Sequence, residues 1–188
     1  MSRRKHTNGK NETSIPPSVK AEHRLRQGPL RRLALGIRLH QDHSYPMSRG
    51  DWAYITSQGD LYLNPNRDAS VGEWEYILAH CMLHLGLGHF QPKRMSDPLW
   101  IQACDLIVTR FLRDSRIGTP PDAWTEELPA YAKSEEAAWE MLHTLSEGVH
   151  QNLFSTMTQG RSDMIWTGKS QIDYMECLAL SLQESIRA

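Results

Sequence analysis

A chain of 188 residues with 39% hydrophobic and 23% charged residues is long enough for one domain with a real core, and its composition excludes disorder throughout. The net charge of -1 is unevenly spread: residues 1–40 hold ten Lys and Arg against Glu12 and Glu22, so this stretch carries +8 and the remaining 148 residues carry -9. No apolar run is long enough to span a bilayer and no secretory hydrophobic region opens the chain, while Cys81, Cys104 and Cys177 fit a reducing cytosol better than a disulfide framework. A cytoplasmic protein without a membrane span is expected.

Residues 1–17, rich in Arg, Lys, Asn and Ser and closing on Pro16-Pro17, read as a flexible basic arm, and 18–188 as the folded domain. The arm's charge offers nucleic acid a contact, but it lacks aromatic residues for stacking, so a solvated tail is the simpler reading. Ser18 to Leu39 predicts an amphipathic helix, broken or restarted at Gly28-Pro29, with Leu30, Leu33 and Ile37 on one side. "DWAYITSQGDLYLNPN" predicts a β-hairpin: Trp52, Tyr54 and Thr56 alternate before a Ser57–Asp60 turn, Leu61 and Leu63 after it, and Asn64-Pro65 ends the second strand.

A helix then opens on Ser70-Val-Gly-Glu73, a capping box, and Val71, Trp74, Leu78, Met82 and Leu85 continue it to Gly86. Asp97-Pro98 supplies an N-cap and a first-turn proline for the next helix, which runs through Trp100, Cys104, Ile107, Val108 and Phe111 and stops before Gly118. A third helix begins near Ser134, with Trp139, Leu142 and Leu145 on its apolar side. Thr158 to Lys169 reads as loop. A last helix, 171–187, uses Ile172, Met175, Leu178, Leu182 and Ile186 and connects to this domain or to another. The order predicts an α+β fold with a small sheet or hairpin packed on several helices.

Within the capping-box helix stands "HCMLHLGLGH", His80 to His89. At 3.6 residues per turn His80 and His84 lie about 40° apart around the axis, so one metal ion can bind both imidazoles. Zinc wants a third protein ligand. His89 is one candidate, just past Gly86 and Gly88. Asp105 is the other: a carboxylate on the apolar stripe of Ile101, Cys104 and Val108 needs a partner or a metal.

These residues resemble a predicted metallopeptidase domain of bacterial proteins that often join it to a C-terminal von Willebrand factor A-like domain and associate with MoxR-type ATPases. The matching stretches, in the family's order, are "GDLYLNP", "EYILAHCMLHLGLGHF" and "LWIQACDLIVTRFL", and "SEEAAWEMLHTL" is similar to a later helix of the pattern. The resemblance implies a zincin-like fold, Zn2+ on His80 and His84 with Asp105 or His89 as third ligand, a protein or peptide as substrate or partner, and a MoxR-type AAA ATPase as a co-worker. Two residues depart from the pattern: Cys81 stands where the general-base glutamate of H-E-x-x-H belongs, and Thr109 where asparagine is usual.

The glutamate of such hydrolases takes a proton from metal-bound water, a role worth about 10² to 10⁴ in rate. A cysteine is too short for that task and mostly a neutral thiol near neutral pH. Three readings follow. Cys81 is an apolar filler in a pseudoenzyme, an extra soft ligand that closes the site, or a bystander whose role falls to Glu73, Glu75 or another carboxylate. The filler fits best, since Cys81 points about 80° away from the midpoint of the two histidines. The expected function is that of a catalytically impaired zinc metallopeptidase-like protein. The alternatives are a non-catalytic, zinc-stabilised protein-binding module and a zinc endoribonuclease: "HCMLHLGLGH" is also similar to the zinc motif of YbeY-type endoribonucleases, whose third histidine falls one position later than His89.

Overall fold

The computed structural model describes residues 15–43, 45–121, 132–144, 163–168 and 174–187. These form an α+β fold with six helices and one four-stranded sheet. All but three residues of the basic arm, together with Trp124, Leu145 and Ile172, lie outside the described residues. No helix among them is long and apolar enough to cross a membrane.

The amphipathic helical stretch predicted over 18–39, broken or restarted at Gly28-Pro29, is two helices and a strand. α1 spans Pro17–Leu25, α2 spans Arg31–Leu35, and β1 is Arg38–His40. Gly28-Pro29 separates the helices as expected, and Leu30, Leu33 and Ile37 are all buried. The strand is decided by a distant partner. Arg38 N–H donates to Gly59 O at 2.9 Å, β1 pairs in parallel with Asp60–Tyr62, and the Arg38 guanidinium holds both carboxylate oxygens of Asp60 at 2.7 Å.

The hairpin forms where the alternation predicts it, as β2 (Ala53–Thr56) and β3 (Asp60–Leu63), antiparallel with Tyr54 opposite Tyr62. Gly59 turns the chain at φ 79°; a side chain there would also meet the Tyr174 hydroxyl at 2.1 Å. Asn64 closes the hairpin from inside, its buried amide donating to Asp51 O at 2.8 Å and Ser48 O at 3.0 Å. The sheet order is β1-β3-β2-β4, and β4 (Met164–Ile165) pairs in parallel with β2, with Ile55 opposite Met164. That strand corrects the loop expected over Thr158–Lys169. Two residues are too short to show an alternating pattern, and β2 supplies the hydrogen bonds that order them.

α3 (Val71–Gly86) is the central helix, packed against α1, α2, β2, α4 (Pro98–Ser115) and α6 (Met175–Arg187). Both hydrogen bonds of its capping box are made, at 2.8 Å and 3.2 Å. Every residue from Tyr76 to Gly86 is buried, as a helix apolar on all sides should be. α4 starts as predicted, with Asp97 accepting from Leu99 N at 2.9 Å. After its end, Gly118 at φ 66° packs so closely on α3 that a Cβ would lie 2.3 Å from Tyr76 N. The third predicted helix is α5 (Glu135–Thr144), with Ala138 and Leu142 buried against α4.

α6 is described from Met175, with residues 171–173 of the predicted helix outside the described residues, and its apolar face is narrower than its sequence predicts. Leu178 is buried and Leu182 partly so, while Met175 and Ile186 are exposed. Polar contacts complete its docking on α2: Arg32 N–H donates to Ser181 Oγ at 2.9 Å, and Glu184 pairs with Arg31 and Arg32. Three of the described tryptophans serve the packing, Trp52 edge-on to Trp74, and Trp100 buried beneath the Arg94 guanidinium.

Candidate metal centre

One helical turn separates His80 and His84 on α3, and their Nε2 atoms lie 3.0 Å apart. α4 brings Asp105 to them: its Oδ1 is 3.5 Å from His80 Nε2 and 3.2 Å from His84 Nε2. A fourth group arrives from the sheet. Asp163 immediately precedes β4, where its carbonyl accepts from Ile55 N–H at 2.8 Å, and its Oδ2 is 3.5 Å and 3.6 Å from the same two nitrogens. One ligand atom from each of the four residues lies within 4.8 Å of every other. His80, His84 and Asp163 are at most 3% exposed in their side chains, and Asp105 is 13% exposed. Together they form a buried group that can hold a metal ion.

The donors fit a cation. Asp105 Oδ1 and both carboxylate oxygens of Asp163 are buried without a hydrogen-bond partner, with the ring nitrogens of His80 and His84 3.2–3.6 Å away. Two buried carboxylates side by side are costly unless a positive charge joins them. Burial, reinforced by the neighbouring His80 and His89 rings, lowers the pKa of His84 to about 3 despite the opposing pull of Asp105, so its ring stays neutral with a lone pair to offer. Burial raises Asp105, but the ring nitrogens of His80 and His84 outweigh it and hold this carboxyl below its ordinary value. Asp163 moves the other way, raised by burial first and by the neighbouring Asp105 second. Without a cation Asp163 therefore keeps a proton up to about neutral pH, and a divalent ion takes that proton's place.

His89 is brought beside the cluster but not into it. Gly88, at φ 75°, turns the chain so that His89 N–H donates to His84 O at 3.0 Å. The His89 ring then lies behind His84, with Nδ1 2.8 Å from His84 Nδ1. Cys81 is fully buried, and its thiol is pushed well above its ordinary pKa, by burial most of all and then by Asp163 and Asp105. It is a neutral core group and no thiolate. Glu73 is engaged in the capping box and Glu75 pairs with Arg24 at 3.4 Å. Thr109 lies beside the Tyr76 side chain, whose ring centroid is 6.3 Å from that of His80.

Asp163 was not visible in the sequence as a site residue. It sits on no helical period, and only the pairing of β4 with β2 carries it to α3. The chain matches no family model, no curated protein and no solved structure.

Proposed function

We propose that the chain is a zincin-like, zinc-stabilised module, built like a metallopeptidase but lacking a working peptidase centre, that acts by binding a protein partner. The resemblance nominates a MoxR-type ATPase for that partner. The observation that carries the proposal is the fourth corner of the cluster. A catalytic zinc site keeps three protein ligands and leaves that corner to water. Here Asp163 lies 3.5 and 3.6 Å from the two imidazole nitrogens, against 3.5 and 3.2 Å for Asp105. A tetrahedral ion held by all four residues would have no corner left for water, and Cys81, a neutral thiol, supplies no base.

Zinc fits the donor set and its spacing. Four N and O ligands at about 2.0–2.1 Å from a tetrahedral zinc ion must stand about 3.3–3.4 Å from one another. Five of the six separations, those from His80 and His84 to each other and to the two aspartates, run from 3.0 to 3.6 Å, and the sixth, between the aspartates, is within 4.8 Å. Two imidazoles with two carboxylates also suit a borderline ion. The full chain is expected to carry one zinc by mass spectrometry and to leave an unfolded protein substrate uncleaved. Cleavage that a chelator stops and zinc restores would contradict the proposal.

A further inference from the structure

His84 uses only one ring nitrogen at the cluster. The other, Nδ1, lies 2.8 Å from Nδ1 of His89, and Nε2 of His89 lies 3.0 Å from Oε1 of Glu135 on α5. The chemistry of these groups gives the chain a direction. A carboxylate only accepts, so His89 Nε2 carries the hydrogen; a neutral imidazole has one N–H, so His89 Nδ1 accepts. His84 Nδ1 must then donate, which leaves His84 Nε2 without a hydrogen, its lone pair among His80 Nε2, Asp105 and Asp163. That is the tautomer a metal ion requires.

Each link is held from outside. The backbone of His89 is fixed on one side by its bond to His84 O and on the other by Trp100 Nε1–H, which donates to His89 O at 3.4 Å. Ser134 accepts from Ala137 N at 3.3 Å at the start of α5, where Glu135 stands in the first turn. Trp139 Nε1–H donates to Asp97 Oδ2 at 2.7 Å and ties α5 to the start of α4. His89 is 1% exposed and the Glu135 side chain 21%, so the relay runs from the edge of solvent to the buried site.

We propose that Glu135 and His89 are positioning residues that fix the tautomer and ring orientation of His84, making α5 part of the metal centre without supplying a ligand. This inference rests on the reading of the cluster as a zinc site. It gives His89 a role other than ligation, and it gives Glu135 one at all.

The test is the zinc affinity of the full chain, by competition against a chromophoric chelator, for wild type, His89→Phe, Glu135→Ala and Glu135→Gln. His89→Phe and Glu135→Ala are expected to bind one zinc about 10- to 100-fold more weakly. Glu135→Gln, whose amide oxygen still accepts, should recover most of the loss. In the zinc-loaded wild type, nitrogen-15 spectra of the histidine rings are expected to show His84 protonated at Nδ1 and bound through Nε2, with His89 unbound; this readout needs no variant to fold. Unchanged affinity in all three variants, with one zinc in the wild type, would overturn the positioning role and leave the zinc reading standing. A metal-bound His89 ring would overturn it too. A wild type that takes up no zinc would remove both.

Discussion

His84→Ala is expected to purify without zinc and to unfold well below the zinc-loaded wild type. His84 is fully buried and touches every other member of the cluster, so no shift of a neighbour replaces its nitrogen. A ligand that binds only the folded state stabilises it by about 4 kcal/mol when present at a thousand times its dissociation constant. In a chain of this size each kcal/mol moves the melting temperature by about 2–4 °C. Loss of the ion should therefore lower the transition by roughly 8–16 °C, and two buried carboxylates left without a cation add to the loss. Thermal unfolding followed by circular dichroism checks this. Chelated wild type should approach the variant, and Cys81→Ala should keep its zinc. A His84→Ala protein that melts with the zinc-loaded wild type would show that the cluster holds nothing of consequence.

Asp163→Asn is expected to reverse its effect according to whether metal is present. In the chelated protein Asp163 is raised from 3.8 to about 7 by burial and by Asp105. A carboxyl raised on folding contributes stability that is fully present below its unfolded value, near pH 3.8, and lost as pH rises through about 7. At about pH 8 the chelated wild type therefore carries a buried, unneutralised charge at a cost on the order of 4 kcal/mol, about three pKa units at 1.36 kcal/mol each. Asparagine carries no such charge. The chelated variant should be the more stable of the two at about pH 8, and the gap should close as pH falls below 4. The slope from His84, which runs the opposite way because its folded pKa is lowered to about 3, is common to both proteins and cancels in the comparison. With zinc saturating, the order inverts, since the variant has lost a ligand. Urea midpoints with chelator and with zinc, across that pH range, test the crossover; equal pH dependence in the two proteins would contradict it.

The part of the site that lies on helices was legible in the sequence. His80 and His84 are paired by a spacing of four. Asp105 is conspicuous as a carboxylate on an apolar stripe, and α4 packs that stripe against α3. His89 was left open between ligand and bystander because the turn at Gly86–Gly88 is plain in the sequence while the side of His84 on which the ring lands is not. That side is set by Trp100 and by Glu135 from a separate helix. What depends on strand pairing was hidden for the same reason. Ile37–His40 continues a helical apolar spacing until β3 claims it as a strand, and Asp163 is indistinguishable from a loop aspartate until β2 orders the two residues after it. Local periodicity reports the helices, but these short strands take their identity from partners far away in the chain.

The most direct measurement of the central claim is X-ray absorption at the zinc edge of the loaded full chain. A closed site of His80, His84, Asp105 and Asp163 predicts four nitrogen and oxygen scatterers at about 2.0 Å, two of them imidazole, and no sulfur. A sulfur shell at about 2.3 Å would make Cys81 a ligand, and a five-coordinate ion with bound water would return the site to the catalytic class; either result would contradict the account.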